Sequence, residues 1–125
     1  MIDPWQLTFV DAAGLVAVLD RTIPGHQFMG DLWRLEFDSR STLVTTNYSV
    51  VKAALDLQQR HGLAGIADLF RVTLPALRVE WCTRADHDLA VAALMASSDT
   101  THDLVDCVDE QVKERLRITS DLARL

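Results

Sequence analysis

A short apolar run that ends in a carboxylate constrains the fold of this chain more than any other feature of its sequence. The run covers residues 7–10, Asp11 follows it, and residues 12–20 continue with small and then apolar side chains at helical spacing. Such a run is typical of a buried strand, and the segment after it predicts a helix that packs back on that strand. Asp11 would then lie at the carboxyl end of a strand, where open α/β sheets bind their ligands. Asp11 alone fits two roles: a ligand of a hard cation, or the N-cap of the following helix.

The length and composition of the chain indicate one globular domain. A chain of 125 residues can bury its own core, so we expect a single domain over residues 1–125. The two cysteines, Cys82 and Cys107, form no CxxC pair, which argues against a zinc knuckle or a redox motif. The sequence has no basic leader and no run of about 18 uncharged apolar residues, so we expect a cytoplasmic protein that does not span a membrane.

The net charge of the chain limits its nucleic-acid chemistry. A formal charge of −6 argues against a nonspecific nucleic-acid binder, which would carry a basic surface. It does not exclude an enzyme that acts on nucleic acid. Clustered acids that hold divalent cations lower the formal charge, while a bound cation reverses the local field.

The remainder of the sequence alternates predicted strands with predicted helices. Strands are predicted at residues 7–11, 42–46, 77–82 and 117–120. Helices are predicted at residues 12–20, 26–37, 48–61, 64–74, 83–96 and 101–116. This alternation indicates a parallel sheet with right-handed crossovers, in a three-layer α/β/α sandwich.

Several local patterns refine this prediction. The third strand alternates apolar and polar residues, which is typical of a strand near an edge. Thr83 and Asp86 have the spacing of a capping box. In the helix over residues 48–61, the side chains predicted to face inward are Val51, Ala54, Leu55 and Leu57. In the helix over residues 64–74, the corresponding side chains are Ile66, Leu69, Phe70 and Leu74.

Three aspartates are placed where this fold would bring them together. Asp11 and Asp121 each follow a predicted strand, and Asp106 lies in the first turns of a predicted helix. The carboxyl ends of parallel strands lie at the same edge of a sheet, so these residues can converge despite their distance in sequence. Three converging carboxylates would repel one another unless a cation neutralised them. The pattern therefore predicts a metal site.

The acids of the late helix also have structural interpretations. Asp103 and Asp106 could favour the start of a helix through its macrodipole, and Asp109 and Glu110 could form a solvated face. We assign Asp103 and Asp109 to such roles, because helical acids are usually solvated. Asp106 is different, since mostly apolar residues flank it on both sides and a carboxylate in apolar surroundings needs a partner.

The pattern as a whole resembles the PIN domain, and within it the small toxin-type, VapC-like ribonucleases of bacterial and archaeal toxin–antitoxin pairs. Residues 9–20 resemble the family's opening strand, aspartate and helix, and residues 43–48 with 57–62 resemble its second strand and the helix after it. Residues 103–108 resemble its later acidic motif, and residues 119–121 resemble its terminal strand and aspartate. The resemblance spans nearly the whole chain. Its specificity lies in the order and spacing of these pieces taken together.

The resemblance implies endoribonucleolytic cleavage of RNA that depends on Mg²⁺ or Mn²⁺. Carried over singly, Asp11, Asp106 and Asp121 would be the catalytic residues that hold the metal. Thr46 or Asn47 would orient substrate or water, or would only cap a helix. The implied partners are an RNA substrate, an antitoxin protein and a second copy in a homodimer. Four large apolar side chains could form a contact surface for such a partner: Phe28, Met29, Trp33 and Trp81. They could equally belong to the core.

One residue departs from the family pattern at the predicted site. Lys52 stands where the family usually has a glutamate, early in the helix after the second strand. Replacing an anion by a cation removes a ligand and repels a divalent ion, which predicts weaker metal binding. Lys52 could instead pair with Asp11 or Asp106 and replace the metal charge with its own. Asp56, one helical turn later, could substitute as a ligand only through a water molecule or a shift.

These observations leave three functional hypotheses. The first is a metal-dependent endoribonuclease of the PIN-domain toxin type, weakened or inactivated by Lys52. The second is a non-catalytic PIN-like protein-interaction module, in which Lys52 forms an internal salt bridge. The third is an unrelated doubly wound domain that binds a small ligand, because a fold alone does not fix a function.

Overall fold

Four short strands form the parallel sheet that the sequence predicts. The structure, a computed structural model, describes residues 6–39 and 41–122; the outer ends of the predicted domain, residues 1–5 and 123–125, lie outside the described residues. The strands are β1 (Leu7–Phe9), β2 (Thr42–Thr46), β3 (Arg78–Glu80) and β4 (Ser120–Asp121). They are all parallel and lie in the order β3-β2-β1-β4, which confirms the predicted edge position of the third strand.

Six α-helices of the described part of the chain connect and cover these strands. They are α1 (Ala12–Leu19), α2 (His26–Asp38), α3 (Asn47–His61), α4 (Leu63–Asp68), α5 (Arg84–Ala96) and α6 (Leu104–Leu116). The predicted capping box starts α5, where the Thr83 side chain accepts the Asp86 N–H and the Asp86 side chain accepts the Thr83 N–H. A second capping box, between Asp103 and Asp106, starts α6 three residues later than predicted.

The helices pack on both faces of the sheet, as the three-layer prediction requires. On one face, α1 and α3 share a core that contains Leu15, Leu43 and Leu57. On the other face, Phe9 and Val44 pack with Ile118, and the end of α6 joins them through Leu116. A third cluster, Ala90 with Val108 and Val112, holds α5 against α6. Because helices cover both faces of the sheet, a ligand-binding cleft is expected at the carboxyl ends of the strands.

The prediction for the buried face of α3 is partly wrong. Leu57 is buried as predicted, but Val51 and Leu55 are 58% and 59% exposed, while Val50 and Ser49 are buried. The prediction assigned the large apolar side chains to the buried face. In the structure the buried face includes Ser49, because its hydroxyl donates a hydrogen bond to Asp109 of α6.

The predicted helix over residues 64–74 is also different in the structure. After α4 the chain continues as a π-helical turn, Leu69–Thr73, and then as a 3₁₀ turn, Leu74–Ala76. The π-helical turn interrupts the α-helical spacing on which the prediction rests. Of the side chains predicted to face inward, Leu69 is fully buried, whereas Phe70 is half exposed.

The aromatic and sulfur side chains divide between core and surface. Met29 is fully buried, and Trp33 packs against the same core cluster. Phe28 and Trp81 are 53% and 72% exposed, so these two are on the surface. Within the described residues, no helix combines the length and the apolar character needed to cross a membrane.

Candidate active site

Asp11 lies two residues after the end of β1, at the carboxyl edge of the sheet. Its Oδ1 accepts the backbone N–H of Gly14 at 2.9 Å, so Asp11 is the N-cap of α1. The capping interpretation is therefore confirmed. A carboxylate has two oxygens and about four acceptor positions, so this cap is compatible with a cation ligand at the same residue.

Asp11 and Asp106 line the same cleft, although 95 positions separate them in the sequence. The cleft has a volume of about 330 Å³ and lies between the β1–α1 junction, α3 and α6. Asp106 reaches it from the first turn of α6, where its Oδ2 accepts the N–H of Asp103 at 2.9 Å. Its polar and charged lining residues are Asp11, Lys52, Asp56, Gln59, Asp106 and Asp109.

Asp109 is the residue of this cleft that the sequence interpretation missed. It was assigned to a solvated face, but it is only 4% exposed. The Thr46 hydroxyl donates to its Oδ1 at 2.6 Å, and the Ser49 hydroxyl donates to its Oδ2 at 2.7 Å. Burial, with a smaller contribution from the charges of Asp11 and Asp106, raises the pKa of Asp109 to about 6, against the opposing effect of the two hydroxyls. The available signal was the spacing of three from Asp106, which places both acids on one side of α6.

Thr46 and Asn47 both hold other elements of the protein. Thr46 is the N-cap of α3, where its hydroxyl oxygen accepts the N–H of Ser49 at 3.0 Å, and it also donates to Asp109. Asn47 is the first residue of α3, and its Oδ1 accepts the backbone N–H of Cys82 at 2.8 Å. The capping alternative is therefore confirmed for Thr46 and wrong for Asn47, which instead ties the segment after β3 to α3.

Lys52 pairs with Asp103, the acid that the sequence assigned to the start of the late helix. Its Nζ lies 2.6 Å from Oδ2 of Asp103, so the predicted pairing with Asp11 or Asp106 is wrong. Asp103 is the N-cap of α6 and extends toward α3, whereas Oδ2 of Asp106 is engaged in the capping box. The hydrogen bond to Asp103 raises the pKa of Lys52, and the charges of Asp106 and Asp109 add to this effect. The ammonium group therefore stands charged at the wall of the cleft.

Asp121 does not join Asp11 and Asp106 in the cleft. It lies on β4 level with Phe9, two residues short of Asp11 along the strand direction. Its Oδ1 is 2.7 Å from Nζ of Lys113, which is 7% exposed and lies 5.5 Å from the centroid of the Phe9 ring. The two lysines of this chain therefore both form ion pairs with acids near the carboxyl edge of the sheet.

The donor groups of the cleft suit a hard divalent cation. Carboxylate oxygens are the ligands that Mg²⁺ and Ca²⁺ prefer, and the anionic neighbours of Asp109 show that negative charge accumulates here. In the part of the chain that the structure describes, no three His, Cys, Asp or Glu side chains form a ready metal cage. Mg²⁺ commonly binds through one or two carboxylates together with water and substrate phosphates. The cleft fits a site of that kind.

The four-stranded parallel sheet and its helices form a PIN-like fold. The crystal structure of Mycobacterium tuberculosis VapC20, described as a sarcin–ricin loop cleaving toxin, matches this structure with a TM-score of 0.80. The match covers 96% of this chain and 90% of that chain, at 20% sequence identity. No protein-family model and no curated protein matches the sequence. The likeness is one of fold, and it confirms the fold that the sequence pattern predicted.

Proposed function

We propose that this protein is a metal-dependent endoribonuclease of the PIN-domain toxin type. The observation that carries the proposal is the convergence of Asp11 and Asp106, from distant parts of the sequence, on one open cleft at the carboxyl edge of the sheet. Support also comes from the fold, which is that of a toxin described as cleaving the sarcin–ricin loop.

Asp11 and Asp106 would hold Mg²⁺ or Mn²⁺ in this cleft. When bound, the cation would stabilise the negative charge that develops during phosphodiester hydrolysis. Asp11 and Asp106 are each fixed by a hydrogen bond from a backbone N–H at a helix start. The predicted third acid, Asp121, would join them only if its ion pair with Lys113 opened.

Lys52 would weaken cation binding without closing the cleft. Its ammonium group interacts electrostatically with Asp106 and Asp109, and it would repel a divalent cation bound beside these two acids. The Lys52–Asp103 pair is about half exposed on both sides, so solvent screens that repulsion. We therefore propose a site of reduced metal affinity.

We also propose protein partners for this chain: an antitoxin and a second copy of itself. The exposed apolar side chains beside the cleft support contact with a partner surface, and they include Val51, Leu55 and Trp81. Two apolar grooves meet at Val51, one reaching Leu55 and the other reaching Trp81.

Calorimetric titration with Mn²⁺ at fixed salt and pH tests the proposed site. We expect the wild type to bind and Asp11→Ala to lose binding. We expect Lys52→Glu to bind at least about tenfold more tightly, because it exchanges a repelling charge for a ligand. RNA cleavage in the same buffers should require added Mg²⁺ or Mn²⁺ and should stop with a chelator.

Asp88→Ala is the matched control, because Asp88 is an exposed acid of α5 outside the cleft. It should bind Mn²⁺ like the wild type. If neither the wild type nor Lys52→Glu binds Mn²⁺, the proposed metal site is wrong, and a non-catalytic interaction module becomes the better description.

A further inference from the structure

We infer that Lys52 binds a phosphate group of RNA at the edge of the cleft, by exchanging its ion pair with Asp103 for one with the phosphate. This inference rests on the proposed function, because it takes RNA as the ligand of the cleft. It gives Lys52 a role in substrate binding that is separate from its effect on a divalent cation.

The position of Lys52 is the first argument. Its side chain lines both the acidic cleft and the apolar groove that reaches Leu55, so it lies where these two openings meet. Among the described residues that line the cleft, Lys52 is the only Lys, Arg or His, and the other charged residues are all aspartates. A lysine ammonium is a compact positive charge that suits a phosphate oxygen. An RNA strand that crosses the edge of the cleft would therefore meet its attractive charge at Lys52.

The ion pair of Lys52 is the second argument, because it can open at little cost. The side chains of Lys52 and Asp103 are 45% and 48% exposed, and ion pairs in such surroundings contribute little to stability. Asp103 stays in place without the lysine, since its Oδ1 accepts the N–H of Asp106 at 2.9 Å at the start of α6. An ammonium group has three N–H donors, so Lys52 can engage a phosphate oxygen before it releases Asp103.

The other lysine of the chain provides the contrast. Nζ of Lys113 lies 2.7 Å from Oδ1 of Asp121 and 3.4 Å from Oε1 of Glu110, and Lys113 is only 7% exposed. It is also absent from the lining of the cleft. Lys113 therefore has a structural ion pair, whereas Lys52 is the lysine that a ligand of the cleft can reach.

RNA binding without a divalent cation tests the inference. The probe is a fluorescently labelled single-stranded RNA, read by fluorescence anisotropy in EDTA at several low salt concentrations, where the proposed cleavage cannot occur. We expect Lys52→Met to bind at least about fivefold more weakly than the wild type. The slope of log affinity against log salt should become shallower by about 0.7, the value for one phosphate contact on a single strand. Lys52→Arg keeps the charge and should bind within about twofold of the wild type.

Arg84→Met is the matched control, because it removes one positive charge from an exposed side chain of α5 outside the cleft. We expect it to change RNA affinity by less than about twofold and to leave the salt slope unchanged. Equal effects of Lys52→Met and Arg84→Met would reflect only the loss of one positive charge from the whole protein, and would overturn the inference.

Mn²⁺ calorimetry on the same variants separates this inference from the proposed function. Lys52→Met should bind Mn²⁺ more tightly than the wild type and RNA more weakly, whereas a variant that does not fold would lose both. Lys52→Glu should show both effects more strongly. A wild type that does not bind RNA in EDTA overturns the inference, and the proposed function stands if Mn²⁺ still binds and RNA is still cleaved with it. If RNA binds neither in EDTA nor with Mn²⁺, the proposed function is wrong as well.

Discussion

At the scale of single residues, Asp109 is a carboxyl group that the fold buries near two other acids, Asp11 and Asp106. Burial and the charges of Asp11 and Asp106 raise its pKa to about 6, from an ordinary value of 3.8. Between these two values the folded protein holds a proton that the unfolded chain releases, so this residue makes the folded state less stable as pH rises. Below about pH 6 the folded protein therefore favours the protonated form of Asp109.

A comparison of the wild type with Asp109→Asn isolates this effect. In urea unfolding, we expect the free energy of the variant minus that of the wild type to increase as pH rises from 4 to 8, by at most about 3 kcal/mol. The change should occur between about pH 4 and pH 6 and level off above it. The other acids are common to both proteins, so their effects cancel to first order. A difference that does not change with pH would contradict the raised pKa.

At the scale of secondary structure, two neighbouring threonines of β2 differ in whether their hydroxyl groups form hydrogen bonds. Thr46 caps α3 and holds Asp109. Thr45 is fully buried, and its Oγ1 is the buried side-chain oxygen that lacks a hydrogen-bond partner in the described part of the chain. Burying an unpaired hydroxyl is unfavourable, whereas a β-branched side chain itself suits a strand.

Replacing each threonine by valine should therefore change stability in opposite directions. We expect Thr45→Val to raise the free energy of unfolding by about 1 kcal/mol, because it removes an unpaired hydroxyl at nearly constant volume. We expect Thr46→Val to lower it by about 2 kcal/mol, because a cap and a bond to a buried carboxyl are lost. Guanidinium titrations of both variants check the signs, and a destabilised Thr45→Val would show that its hydroxyl has a partner.

The elements differ in how well the sequence predicts them, and the reason is physical. Strands and capped helices follow from local patterns, so β2 over Thr42–Thr46 and the capping box at Thr83 are confirmed. The role of Asp109 depends on Thr46 and Ser49, which lie 63 and 60 residues away in the sequence. Such contacts leave no periodic signal in either segment.

The ion pairs of the two lysines also join segments that are distant in sequence, so the sequence does not predict the partner of either lysine. Lys52 stands out in the sequence because it occupies the position where the family usually has a glutamate, but its pairing with Asp103 depends on how the start of α6 meets α3. The ion pair between Lys113 and Asp121 brings together the last turns of α6 and the edge strand β4. Sequence spacing predicts that Asp121 follows a strand, and only the packing of α6 shows which charge faces it.

At the scale of the whole molecule, the proposed function requires an acidic protein to bind a polyanion. The chain carries a net charge of −6, and its cleft is lined by several carboxylates. An RNA phosphate approaching this cleft meets repulsion unless a cation is already bound. If the proposed function is right, cation binding and RNA binding should therefore strengthen each other.

Self-association is the second property of the whole molecule that can be tested. We expect the wild type to sediment as a dimer and Val51→Asp to shift it toward monomer, because a charge placed where the two apolar grooves meet would have to lose its water on association. Leu89→Asp is the matched control, since Leu89 is 56% exposed against 58% for Val51 but lies on α5. A monomeric wild type, or equal effects of the two variants, would contradict this interface.

The pairing of both lysines has a practical consequence for anyone who handles this protein. Lys52 and Lys113 are the two lysine side chains of the sequence, and each is bound to an acid at the carboxyl edge of the sheet. Acylating dyes, amine crosslinkers and lysine acetylation would therefore break one of these two ion pairs wherever they reacted with a lysine side chain. Each such reaction would remove a positive charge and release an aspartate. Labels and surface attachments for functional assays are better directed elsewhere on the chain.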